Sequence, residues 1–295
     1  MNAIVSFPAT KVATLSSSAI LVELNIGCPT FTKRDKKTQE EVLLAKGARS
    51  KAADVNKILL PECKELDAVS KFAALVRTWH NGRTLPWSNK GPRLLPGPIM
   101  FDYKTQVSQY RQDFFTLRDQ FLLAYPQAIQ TAAFGTGGFF DRNDYASVDE
   151  VSEKFSFNIH FSPLPEAGDF RLDIGQQGLE ELRKEYEANA NRMLGGVMQE
   201  MWDRMHDSLT TLSNQFRIEQ DGTKGKLYQA TIDAALEMCD LLEKFNPTND
   251  EELDKARRDL KMTLQGIDLA EVKKYPEVRK GVKTELDAIL NKLNF

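Results

Sequence analysis

Cysteine and histidine are scarce in this sequence. Its three cysteines, Cys28, Cys63 and Cys239, stand far apart, with no CxxC pair and no Cys/His cluster. With only three histidines, His80, His160 and His206, a zinc or His-rich metal site is not expected. Widely spaced thiols fit a reduced, cytosolic chain. Long apolar runs are missing too, and none approaches the ~18 residues that a membrane helix needs. The opening MNAIVSFPATKVATLSSSAILVEL holds a short apolar piece without a small-residue cleavage site after it, and is not read as a secretory signal. There is no nucleophile elbow, no HExxH, no dinucleotide fingerprint and no Walker motif. The Gly-rich FGTGGFFDRNDY lacks both a GK[ST] ending and a strand leading into it. The paired carboxylates Asp141/Asp144 and Glu180/Glu181 are explained by turns, caps and solvated faces. A catalytic site needs a base or nucleophile with an orienting neighbour, and none is visible. The expectation is no catalytic residue, no metal and no cofactor.

Positive charge, in contrast, is unevenly supplied. The chain carries 39 Lys/Arg and 42 Asp/Glu, a net charge of −3. Residues 1–100 hold 15 Lys/Arg against 8 Asp/Glu, while residues 101–295 hold 24 against 34. A basic third joined to an acidic remainder places any polyanion contact in the first third. Within it, Lys33, Arg34, Lys36 and Lys37 crowd into five positions beside Phe31, and Lys46, Arg49 and Lys51 follow in KGARSK. This is either a solvated turn with Thr38 capping the next helix or a phosphate-contacting finger. The stretch RTWHNGRTLPWSNKGPR then brings Arg77, Trp79, His80, Arg83, Trp87, Lys90 and Arg93 together without one carboxylate. Gly82, Pro86, Gly91 and Pro92 argue for irregular backbone through most of it. Indole faces stack on bases whatever their identity, and cations follow phosphates, so the stretch suits a single nucleic acid strand. The plainer alternative is that each Trp plugs the edge of a core.

Hydrophobic periodicity gives the fold class as α+β: a small antiparallel sheet packed with helices, then a long helical hairpin and C-terminal helices. Strand signals run from Ser6 to Gly27. KFSFNIHF alternates strictly, and FRLDI is expected to complete a hairpin with it. Helices are expected over 38–46, over a stretch ending at Leu60, from Pro61 to about Val76, and from Tyr103 to Tyr125 with a restart or kink at Pro126. From Gln176 to about Gln220, apolar residues step by three and four with a mean near 3.7, which marks a long straight helix. Leu227–Phe245 returns along it, and Pro247-Thr248-Asn249-Asp250 caps a further helix from about Glu251 to Leu264, followed by a short polar helix and one from Pro276 to Leu293. Two domains are expected: a basic α+β domain over 1–175, and a helical bundle over 176–295 for oligomerisation or partner binding.

The segments LVELNIGCPTFTKRDKKT, KGARSKAADVNKILLP, the TLPW loop with GPRLLP, and FSFNIHFSPLPEAGDFRLDI span roughly residues 20–175. In order and content they resemble the single-stranded-DNA-binding RNA polymerase cofactors of tailed phages, the Drc-like proteins. More loosely they resemble phage proteins of unknown function encoded beside MoxR-like ATPases. The resemblance implies a phage protein in the host cytoplasm that binds single-stranded DNA and recruits a phage RNA polymerase or supports replication, without an OB-fold. A non-catalytic strand-binding protein, forming a homo-oligomer through its acidic helical part, is therefore the first functional expectation. The second is an adaptor that engages a polymerase or ATPase with no nucleic acid contact, through the Met/Trp region at 198–205 or the last helices. Neither class calls for a membrane.

Overall fold

A computed structural model describes residues 15, 17–49, 51–88, 91–164, 175–219 and 222–293, with residues 175 and 176 described in backbone only. The fold is α+β. Six strands and nine helices are named here among those residues: β1 (Ala19–Gly27), β2 (Thr32–Arg34), α1 (Lys36–Ala45), β3 (Asn56–Ile58), α2 (Lys64–Arg83), β4 (Leu85–Pro86), β5 (Arg93–Pro96), α3 (Met100–Gly135), α4 (Val148–Ser152), β6 (Ser156–Ser162), α5 (Gly175–Phe216), α6 (Gln229–Lys244), α7 (Glu251–Leu264), α8 (Leu269–Lys274) and α9 (Pro276–Lys292). A four-stranded sheet has the order β4-β5-β1-β6, and β2 pairs with β3 in a separate ribbon. In the larger sheet β1 runs antiparallel to β5, with Leu21 opposite Leu94, and β5 antiparallel to β4, with Leu85 opposite Leu94. Strand signals at residues 6–14 and 16, and the FRLDI strand, lie outside the described residues; Leu15, Ser17 and Ser18, expected in the same strand region, are helical.

The chain forms two compact units that are not consecutive stretches. The first takes residues 1–23, 81–103 and 160–295; the second takes 24–80 and 104–159. The boundary expected at 175 falls within the first unit. The core of the first unit is organised by α5, which at 42 residues is ~63 Å long. Its buried row Leu194, Val197, Met201, Met205, Leu209, Leu212 and Phe216 follows the three-and-four spacing seen in the sequence. It packs in one cluster with Ile232, Ala235 and Met238 of α6, Leu253 and Leu260 of α7, and Leu286 and Ile289 of α9. α7 starts where its caps dictate: the Asp250 carboxylate accepts from the backbone N–H of Glu252 and Leu253 at 3.0 Å, and Glu251, Glu252 and Asp254 suit the positive end of the helix dipole.

The end of α5 is closed by a charge that has no carboxylate partner among the described residues. Arg279 of α9 is 2% exposed, and its guanidinium donates to the carbonyls of Phe216 at 3.0 Å and of Gln215 and Gly225 at 2.5 Å. These include carbonyls that the helix leaves without an internal partner. Gly225 must approach this close: a Cβ there would lie 2.5 Å from Gln215 O and 2.6 Å from Asn214 O.

The core of the second unit is aromatic. Phe121 lies 5.4 Å from Phe31, 5.7 Å from Tyr125 and 5.7 Å from Phe155, ring centre to ring centre, all tilted or edge-on. Phe114 reaches Phe157 at 5.7 Å. These are the distances and angles that ring quadrupoles favour. The Phe row of β6 thus meets the buried face of α3. That helix runs through Pro126 without restarting. Two further expectations are corrected in this unit. Residues 56–58 form β3 rather than a helix, because pairing with β2 supplies their partners. The cap of α1 is Asp35 rather than Thr38: its carboxylate accepts from Thr38 N at 3.1 Å.

Candidate nucleic-acid interface

Eight Lys/Arg and four Asp/Glu lie between residues 33 and 57, and the second unit gathers them on β2, α1, β3 and the turns between. Antiparallel pairing sets Lys33 directly opposite Lys57, with Arg34 opposite Asn56. Like charges facing one another across a ribbon are destabilising. Asp144 relieves this. Its carboxylate is 3% exposed and meets Lys33 Nζ at 2.5 Å through Oδ1 and Lys57 Nζ through Oδ2. Burial pushes the Asp144 pKa up, but the hydrogen bonds from Lys33 and Lys57 outweigh it and hold the carboxyl below its ordinary value. Lys57 also donates to the Phe139 carbonyl at 3.0 Å, and the Tyr145 hydroxyl donates to the Leu59 carbonyl at 2.7 Å. The FGTGGFFDRNDY turn therefore serves as a clamp on the basic ribbon. Sequence reasoning missed Lys57 and Asp144 because their partnership spans 87 positions.

The other cations of this region divide in two. Arg34 is engaged: it donates to Gln39 Oε1 at 2.9 Å and pairs with Asp54 at 2.6 Å. Lys36, Lys37, Lys46, Arg49 and Lys51 are exposed and make no ion pair among the described residues. Lys36 and Lys37 open α1, whose first turn has no acidic residue. Cations there oppose the helix dipole, so the fold gains nothing from their charge. Lys46 caps the other end of α1, and Lys51 holds a left-handed φ of 74° in the turn that leads to β3.

The Arg77–Arg93 stretch is not the irregular loop expected from its Gly and Pro content. α2 continues to Arg83, so Arg77, Trp79, His80 and Arg83 are all helical. In the second unit, Arg77 is exposed and donates to the Ile26 carbonyl at 2.7 Å. Trp79 is half-buried, its ring edge-on to Tyr110 at 5.1 Å and 85°, and His80 is buried. In the first unit, Arg83 pairs with Glu237 at 3.4 Å. Trp87 is 7% exposed and belongs to the core cluster, which leaves it no open ring face for a strand. Lys90 lies outside the described residues. Arg93 turns inward, donating to Thr84 Oγ1 at 2.7 Å and the Thr84 carbonyl at 3.1 Å. Burial lowers its pKa, and the neighbouring Arg204 adds to that. Arg204 donates to the carbonyls of Thr84 at 2.9 Å and Asn81 at 3.0 Å, and pairs with Glu200 at 2.9 Å. Two guanidiniums thus close the C-terminal end of α2, where the helix dipole favours cations.

Among the described residues no group of three or more His, Cys, Asp or Glu is placed to hold a metal. Nor, among the described residues, is any helix long and apolar enough to cross a membrane. The arrangement nearest to nucleophilic chemistry is Ser213, Lys283 and Asp287. Ser213 Oγ donates to Asp287 Oδ1 at 2.5 Å, and Lys283 Nζ lies 2.5 Å from Asp287 Oδ2. A Ser–Lys dyad needs a lysine that can take the hydroxyl proton. Here Asp287 engages both groups, and the trio ties α5 to α9. Searches against protein-family models, curated proteins and solved structures found no match to this chain.

Proposed function

We propose that this chain binds single-stranded nucleic acid without catalysis, gripping phosphates with the β2–α1–β3 region of its second unit. The observation that carries this is the set Lys36, Lys37, Lys46, Arg49 and Lys51, five exposed cations free of ion pairs among the described residues. They sit in a segment of net charge +4, held in shape by Asp144 and Tyr145. The grip is one of charge rather than of rings, because Trp87 is buried and Trp79 half-buried. The resemblance of residues 20–175 to phage single-stranded-DNA-binding polymerase cofactors points to DNA as the strand and to recruitment of a polymerase as its use. The test is the salt dependence of oligonucleotide binding. The log–log slope is expected to fall in magnitude by roughly 0.7 for each phosphate-contacting cation changed to Gln. No binding at low salt, or an unchanged slope in the five-fold Gln variant, refutes the proposal.

One observation favours a second reading, the adaptor. On α3, Leu123 and Phe134 are 84% and 92% exposed and lie eleven residues apart, three turns along one face. Large side chains exposed on one face suit a protein partner such as a polymerase. Pull-down of a polymerase by the wild type, lost in a Leu123→Ser/Phe134→Ser variant, together with no oligonucleotide shift, is the outcome that selects it.

A further inference from the structure

In the first unit, one face of α5 borders a cavity of about 420 Å³. Asn189, Arg192, Met193 and Gly196 contribute from the helix, at spacings that share one face, and Trp87 and Ser88 contribute from the opposite wall. The small exposed part of the Trp87 indole and the Met193 thioether make the apolar side. Arg192 is exposed and has no ion pair among the described residues. Asn189 is also exposed.

Gly196 lines the cavity and is exposed. Glycine inside a helix weakens it, and the close approach of another element often accounts for its presence. Among the described residues no element comes that close: a Cβ built on Gly196 meets no atom within 4 Å, as is also true of Gly195. Packing would accept alanine there, and the helix would prefer it. What the bare position does is leave room on the cavity side of α5.

We propose that this cavity is a nucleotide site. The base lies against the Met193 thioether and the exposed edge of Trp87, the Asn189 amide offers a donor and an acceptor to the base edge, and the Arg192 guanidinium holds the phosphate. The volume falls within the range of small-ligand pockets. The ligand is a base carrying a terminal phosphate, whether a free mononucleotide or the phosphorylated end of a strand. The site belongs to the first unit and does not rest on the cations of the second, so either proposal stands if the other fails.

The test is calorimetric titration of the full chain with dAMP and with deoxyadenosine, which lacks the phosphate. dAMP is expected to bind about tenfold or more tightly than deoxyadenosine, and Arg192→Gln to erase that difference. Gly196→Leu, which fills the cavity with a good helix former, is expected to abolish binding. Gly196→Ala is expected to raise the melting temperature, showing that the position tolerates a side chain. Competition against dAMP by a 5′-phosphorylated but not a 5′-hydroxyl oligonucleotide identifies a strand end as the ligand. Absence of such competition identifies the free nucleotide. No heat at millimolar dAMP, equal affinity for dAMP and deoxyadenosine, or binding by Gly196→Leu equal to wild type overturns the proposal.

Discussion

Replacing Asp144 by Asn keeps the shape of the side chain and removes its charge. Lys33 and Lys57 then face one another across the ribbon with no counter-ion between them. The cost divides unequally. Lys33 is 54% exposed and regains water, so its pairing contributes no more than ~1 kcal/mol. Lys57 is 13% exposed and keeps only the Phe139 carbonyl, so most of the loss arises there. Breaking a fully buried pair costs about 3–5 kcal/mol; with one partner partly open, about 2–4 kcal/mol is expected. Urea denaturation of Asp144→Asn measures the loss, and hydrogen exchange at 56–59 locates it. The wild type also has a pH signature. The Asp144 carboxyl lies below its ordinary value in the folded chain, so its contribution is full above the unfolded carboxylate pKa of ~3.9. It fades as pH falls through the lower folded value. Asp144→Asn is expected to lose that part of the acid sensitivity. Strand binding adds a further readout. The substitution raises net charge by one, so a purely electrostatic role strengthens oligonucleotide affinity, whereas a clamp on the ribbon weakens it. A variant with wild-type stability and unchanged exchange at β3 refutes the clamp.

Three further outcomes follow from the described contacts. Gly225→Ala places a methyl against two backbone oxygens, and a loss of about 1–3 kcal/mol is expected by denaturation. Phe114→Ala removes a fully buried ring from the aromatic core of the second unit, with an expected cost of about 3–5 kcal/mol and a drop in melting temperature. Burial pushes the Cys239 thiol up to about 12 and raises that of Cys63, while Cys28 is only half-buried. A maleimide near pH 7.5 is therefore expected to label Cys28 alone, as one added mass by intact-protein spectrometry.

The helical half was written plainly in local pattern. The row from Leu194 to Phe216 kept its spacing because one face of one long element fills one core, and the capping run from Pro247 to Asp250 marked the start of α7 at Glu251. What escaped were features set by distant partners. α2 runs on through Asn81 and Gly82 because Arg93 and Arg204 hold its last carbonyls, and neither arginine is a neighbour in sequence. Residues 56–58 became a strand because β2 lies beside them. The basic cluster at 33–51 was legible as charge. That Lys33 and Arg34 are engaged, while Lys36, Lys37, Lys46, Arg49 and Lys51 are not, depends on Asp144 and Asp54 and so on the fold. Burial of Trp87 was equally beyond local signals, since a Trp between Pro and Ser reads the same inside or out.

The Arg279 contacts make the last helix a lid on the far end of the longest one. A chain cut before Pro276 would expose the carbonyls of Gln215, Phe216 and Gly225 together, and α5 would unravel backward from that end. The bundle is thus finished only once α9 has been made. Protease resistance of residues around 200–216 during synthesis would appear late, and all at once.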